Sequence, residues 1–246
     1  MSFLAFQPKQ YRTDFTDATK ELIPSLTASQ DDIAKSAIEM ITAMRRSIDV
    51  MERVNIDQQN TTTKTLSEKE ITEIGEYALI LLDELAIVAA NRGLQQVMLL
   101  LHRLSLPVAL WIAEHQGKIN KLDIVVNAIA TYANTVTDTE SLTELSSVIE
   151  NIIHSAADDI QQDLEASNPA RPWRVLNLNW GIVATRSHNA ELMSHVFDQL
   201  IKNIPVDAKN FFQEGMQQMD IVGYPDHVRE VMKKYSNLCG VDADLH

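Results

Sequence analysis

The stretch Pro172-Trp173-Arg174-Val175-Leu176-Asn177-Leu178-Asn179-Trp180-Gly181-Ile182-Val183-Ala184-Thr185-Arg186 decides the fold class. Trp173, Leu176, Trp180 and Val183 recur at steps of three and four residues, the period of one helix face, while Leu178 and Ile182 fall on another face. The polar run Ser187-His188-Asn189 stops the pattern. A second helix is expected from Leu192, Val196, Leu200 and Ile204, and a third from Ala208, Phe211, Phe212, Gly215, Met219 and Val222. A fourth follows from Val228, Val231, Met232 and Tyr235. Pro205 and Gly223-Tyr224-Pro225 separate them, because proline cannot extend a helix and glycine readily ends one. Four amphipathic segments, each halted by a turn signal, read as two stacked helical hairpins. Their starts near Pro172 and Val206 lie about 34 positions apart, a helical-hairpin repeat period.

The same grammar runs upstream. Asp138 to Glu140 opens a pattern through Leu142, Leu145, Ile149, Ile152, Ala156, Ile160 and Leu164, which is one helix or two joined near Ser155. Leu122 to Val136 is another helix. Leu94 to Leu104 and Val108 to Ala113 are apolar nearly all round, so both are expected to be buried on more than one side, with a break or kink at Pro107. Glu68 to Asn91 is strongly periodic and ends at Arg92-Gly93. Ser67 and Glu70 have the capping-box spacing that starts such a helix, and Leu66 and Ile71 fit a hydrophobic staple. Before it, residues 56–66 include the run Gln58 to Thr65, which has no apolar side chain and reads as a linker. Residues 1–55 form an appendage. Phe3, Phe6, Tyr11 and Phe15 mark an arm and a short docked helix, and Asp31-Asp32 open a long one. Its stripe Ala34, Ala37, Ile41, Met44, Ile48 and Met51 is heptad-like, suited to a neighbouring helix or, in a homodimer through residues 31–55, to a second copy. Residues 67–246 form the body. No segment shows the period of two that a strand needs, so the expected fold is all-α, stacked antiparallel helical hairpins with an N-terminal helical appendage.

Trp173-x-x-Leu176 followed by Trp180 resembles the Trp, Leu and Tyr pattern on the first helix of a tetratricopeptide repeat; Ile74-Gly75 with Ala78, and Gly215 with Met219, resemble it more faintly. The small residue expected early in the second helix and the closing proline do not fall in register after Trp173. The resemblance covers at most residues 68–238. It implies a tetratricopeptide-like α-α superhelix that binds protein or peptide, and it brings no catalytic residue.

The formal charge of −13 over 246 residues excludes nucleic acid as a main ligand, because that binding rests on Lys and Arg neutralising phosphates. It also disfavours anionic membranes. Cys239 is the sole cysteine, so neither an internal disulfide nor a cysteine-cluster metal site can form. The N-terminus has no basic start or long apolar run, and the longest apolar run, Val97 to Leu101, falls far short of a membrane span; a cytoplasmic protein is expected.

Chemistry-bearing motifs are few. There is no Gly-x-Gly-x-x-Gly, no P-loop and no His-Glu-x-x-His, so no cofactor is expected. His188, Glu191 and His195 have steps of three and four, which suit one helix side and a zinc or iron ion. Asp158, Asp159 and Asp163 have the helical spacing of carboxylates that hold Mg²⁺ on a diphosphate, and the run is similar to the first Asp-rich motif of all-α prenyl-diphosphate synthases. A second such motif is missing. An ordinary polar or charged helix face is the favoured reading of both clusters. Arg171, Arg174, Arg186, His188 and Tyr224 sit at the breaks of the organising stretch, where Arg recognises acidic groups or peptide termini. The expected function is a non-enzymatic scaffold binding protein or peptide, with a Mg²⁺-dependent diphosphate enzyme as the alternative.

Overall fold

Periodic apolar stripes and sparse turn residues yield helices throughout. The computed structural model describes residues 5–29, 31–59, 66–164 and 166–241. Among them every regular element is helical, and backbone pairing of the β type is confined to an isolated parallel bridge between Ile119 and Ala156. The chain forms two compact units. Unit 1 comprises residues 1–132 and 154–157, and unit 2 comprises residues 133–153 and 158–246.

Unit 1 begins with α1 (Pro8–Thr19) and α2 (Leu22–Ser29), where one short helix was expected. Phe6, Tyr11 and Phe15 are buried, so these aromatics are core; Phe3 lies outside the described residues. The long helix α3 (Asp32–Gln59) packs on both, and on α4 (Glu68–Asn91). Its stripe from Ala34 to Met51 is buried in this packing and is therefore spent within the chain. The helix also continues through Ile56 to Gln59, into the stretch expected to be a linker; residues 60–65 of that stretch lie outside the described residues. Asn55 at its end is a structural group, accepting a 2.7 Å hydrogen bond from Trp111 Nε1.

α4 starts on the expected capping box. Ser67 Oγ accepts from the Glu70 amide at 3.3 Å, and Glu70 Oε2 accepts from the Ser67 amide at 2.8 Å. Its inner face carries Ile71, Ala78, Leu82 and Leu85, all at most 1% exposed, each contributing about 1.5–3 kcal/mol of burial for the larger side chains. Gly75 lets α4 close on α6 (Ser105–Glu114): a Cβ there would lie within 2.5 Å of Ile112 Cδ1 and closer still to Cγ1. The break before α6 falls at Leu104, after α5 (Gln95–Arg103), rather than at Pro107. Pro107 instead occupies the first turn of α6, where a missing amide proton costs nothing. Gln95–Glu114 is long and apolar enough to cross a membrane by length and composition, yet over half of its best window is buried inside the protein.

α7 (Leu122–Thr135) and α8 (Thr139–Ser155) each pass from one unit into the other along the chain. The open question of one helix or two over 141–165 resolves as two, α8 and the single turn α9 (Asp158–Gln161). Their break is the bridge. Ile119 N donates to Ser155 O at 2.7 Å and Ala157 N donates to Ile119 O at 2.9 Å, drawing these backbone groups out of the helical ladder.

Unit 2 contains α10 (Pro172–Arg186), α11 (Ala190–Asn203), α12 (Pro205–Val222) and α13 (Asp226–Val241). α10 packs on α11, α12 on α13, α11 on both α12 and α13, and α10 on α12. Pro172 and Pro205 each take the first helical position, Asn189 caps α11 by accepting from the Glu191 and Leu192 amides, and Gly223 ends α12 in the left-handed region at φ 74°. The core is aromatic. Phe197 is fully buried with ring centroids 5.0 Å from Phe212 and 5.3 Å from Tyr235. Trp173 and Trp180 are buried too, Trp180 donating to Ser146 Oγ at 2.8 Å.

Candidate functional site

α10 has two apolar faces, and only one of them is consumed. Trp173, Leu176, Trp180 and Val183 are in the core, whereas Ile182 remains 46% exposed. Gly181, beside it, permits close approach: a Cβ there would meet Phe211 Cζ at 2.7 Å and Leu200 Cδ2 at 2.9 Å. The result is a groove of about 270 Å³ between α10 and α12, lined by Ile182, Phe211, Gly215, Met219, Val222 and Tyr224. Met219 and Met232 form a buried floor, and Val222 is 60% exposed at the rim. Glu214, Gln218 and Thr185 supply the polar edge.

At one end the groove meets Tyr224, whose ring lies edge-on to His188 with centroids 5.5 Å apart. His188 adopts a left-handed backbone, φ 55°, and its carbonyl is 2.9 Å from His227 Nε2. Burial pushes the Tyr224 phenol up, against the opposing effect of the Arg186 charge. Beyond His188 a second, shallower depression of about 730 Å³ is lined by Glu140, Thr143, Glu144, Ser147, His188 and Asn189. His188 and Tyr224, singled out from the sequence, are thus brought together.

The three arginines divide: Arg186 lies near enough to Tyr224 for its charge to act there, while Arg171 and Arg174 converge on Asp207. Arg171, 4% exposed, donates to Asp163 through Nε and Nη2, and from Nη2 to Asp207 Oδ2 at 2.6 Å. Arg174 Nε donates to Asp207 Oδ1 at 2.6 Å and its Nη1 to Pro169 O at 3.0 Å. Burial would raise the Asp207 carboxyl, but the hydrogen bonds from Arg174 and Arg171 outweigh it and hold it below the usual carboxylate range. Arg186 donates to Ala133 O at 2.7 Å and Val136 O at 2.6 Å, satisfying carbonyls at the end of α7. All three guanidinium groups hold structural partners.

The carboxylates and imidazoles are likewise dispersed. Asp163 faces Arg171, while Asp159 Oδ1 accepts from the Ile160 amide at 3.0 Å at the start of α9. His195 Nε2 lies 2.6 Å from Glu150 Oε1, and its ring meets Trp180 edge-on. Glu191 sits in the first turn of α11. Among the described residues no three His, Cys, Asp or Glu side chains converge to hold a metal ion, so neither Asp158, Asp159 and Asp163 nor His188, Glu191 and His195 form a site of three ligands.

Sequence reasoning missed Phe211, Val222, Glu214 and Gln218 as groove residues, and Asn177, which is fully buried and joins α10 to α11 by accepting from Asn203 Nδ2 at 2.9 Å. The signal was present in the second face of α10, Leu178 and Ile182, which no helix in the reading of the sequence was assigned to cover. Unit 1 carries its own groove of about 500 Å³ between α3 and α4, lined among others by Val50, Leu66, Ile74 and Tyr77. The chain matches no protein-family model, no curated protein and no solved structure.

Proposed function

We propose that this protein is a non-enzymatic scaffold that binds a protein or peptide, and that α10 to α13 act as two stacked, tetratricopeptide-like hairpins. The observation that carries the reading is the apolar groove between α10 and α12, with Ile182 and Val222 exposed above a buried methionine floor. Pairing of α10 with α11 and of α12 with α13, together with contacts between the first helices of each pair and between the second, supports the reading of stacked hairpins, an architecture that leaves one face grooved. Partially exposed aliphatic and aromatic side chains with a polar edge suit a peptide segment. The alternative, a Mg²⁺-dependent enzyme on a diphosphate, finds no supporting arrangement, since Asp163 is engaged by Arg171.

Selection of displayed random peptides against the full chain tests the proposal. Enriched peptides are expected to bind in solution by calorimetry and to lose about tenfold or more in affinity against Ile182→Glu. Failure to enrich any specific peptide, or robust turnover of a small molecule, overturns it.

A further inference from the structure

We propose that the occupant of the α10–α12 groove is a cationic segment, one that places an aliphatic or aromatic side chain in the groove and a Lys or Arg near Glu140; the inference rests on the peptide-binding reading. The groove itself selects the apolar side chain. Its surroundings select the charge. Unit 2 contains seventeen Asp and Glu against eight Lys and Arg, so it carries nine of the thirteen net negative charges. Between Ala133 and Ala170 there are eight acidic residues and no Lys or Arg at all. Four of the eight cations are committed elsewhere: Arg171, Arg174 and Arg229 to aspartates, Arg186 to carbonyls. Arg171, Arg174 and Arg229 are balanced by their aspartates, whereas Arg186 keeps its positive charge near Tyr224; Glu214 on the rim of the groove and Glu140 in the depression beyond His188 supply the negative charge at the two depressions.

The two depressions adjoin through the chain itself. Thr185 edges the apolar one, and His188 and Asn189 line the acidic one. Ile182 to His188 is six residues, roughly 9 Å at the helical rise. An extended peptide covers that in about three residues. The recognised pattern is therefore an apolar residue followed or preceded, after two or three positions, by Lys or Arg. The acidic field steers such a segment to the surface and repels acidic ones, while the apolar contact sets its residence.

A fluorescein-labelled peptide with one Leu separated by three Gly-Ser spacer residues from a Lys-Lys pair is the probe, titrated with the full chain at low salt and read by anisotropy. Two control peptides replace the Leu by Ser or the Lys pair by Glu. The parent peptide is expected to bind, each control to bind about tenfold more weakly, and added salt to weaken the parent. Ile182→Glu and Glu214→Lys are expected to lower affinity for the parent about tenfold with an unchanged melting temperature, and Glu214→Lys to raise affinity for the Glu peptide. Equal binding of all three peptides, or parent binding indifferent to both variants, overturns the proposal. So does light scattering showing a dimer that Ile182→Glu dissolves, which would put a second copy in the groove. Should display-selected peptides bind while the Leu-Lys peptide does not, the scaffold reading stands and this one falls; if neither binds, both fall.

Discussion

The two units solve the same problem, holding helices against one another, with different chemistry. Unit 1 ties its buried helices by neutral side chains reaching far along the chain, and keeps its ion pairs on more exposed groups, Arg12 with Asp49 and Glu52 and Lys121 with Asp83. Tyr11 donates its hydroxyl to Leu104 O at 3.0 Å, and Trp111 donates to Asn55. Arg92 donates to Ser25 O at 3.0 Å and pairs with Asp31 at 3.3 Å. Unit 2 instead places a guanidinium almost out of water, Arg171, between Asp163 and Asp207. A neutral tie costs little when conditions change. A buried charge is different: its net contribution depends on every partner remaining ionised and in place. The comparison teaches that unit 2 stakes part of its packing on a buried guanidinium, whereas the ion pairs of unit 1 lie nearer water.

The largest expected effect breaks that contrast directly. Arg171→Met leaves Asp163 without its guanidinium and Asp207 with only Arg174, and should cost about 3 kcal/mol, read as a lower urea midpoint. Acid should sharpen the point. Asp207 has a lowered pKa in the folded protein, so its contribution is complete above the unfolded carboxylate range near pH 4 and is lost as pH falls through the folded value. Unfolding followed from neutral pH downwards should show this loss in the parent and a flatter curve in Arg171→Met. An equal acid slope in both would remove the electrostatic distinction between the units.

The second effect compares the glycines. Gly75→Ala drives a methyl into the stem of the fully buried, β-branched Ile112, which has nowhere to go, and should cost about 2 kcal/mol after the gain in helix propensity. Gly181→Ala meets the far end of the Phe211 ring, which lines the groove, and a terminal methyl of buried Leu200, and should cost less than about 1 kcal/mol. Thermal melts of the two variants check the order; a reversed order would mean that unit 2, not unit 1, is the more tightly filled.

The smallest effect appears in alkali. Burial, then the hydrogen bond to Asp198 at 2.6 Å, push the Tyr235 phenol up to about 12. The corresponding stability is present below the unfolded value near 10 and is lost as pH rises from there through the folded value. Tyr235→Phe should remove that alkaline slope and one late-ionising phenol from an ultraviolet titration, while costing about 1 kcal/mol at neutral pH. Tyr11 in unit 1, raised well above its usual value by burial and then by Asp14, should remain in the titration as the internal reference.

Much of the helical architecture was legible in local spacing, because local spacing is its cause. The period of Trp173, Leu176, Trp180 and Val183 specifies one buried stripe, and the Ser67–Glu70 capping box needs only four consecutive residues. What stayed hidden depends on distant groups. The end of α8 at Ser155 is created by Ile119, far back in the chain, and no residue near Ser155 announces it. Pro107 looked like a break because proline usually is one; it sits instead in a first turn, where its defect is harmless. Arg171 and Arg174 looked available because their partner Asp207 lies on another helix. The groove was half visible in Ile182, and its opposite wall, Phe211 and Val222, required the packing of α10 against α12.

The assignment of residues 154–157 to unit 1, amid a segment that otherwise belongs to unit 2, has a practical side. The chain passes between the units three times, near residues 132, 153 and 157, and twice it does so inside a helix. No single cut yields either unit intact. A truncation ending near 132 would discard Ser155, Ala156 and Ala157, leaving the Ile119 amide and carbonyl without their bridge, and one starting near 158 would lose the Ser146 that receives the Trp180 indole proton. Gene dissection of this protein should therefore proceed by point substitution, because in linear order its two parts are interleaved.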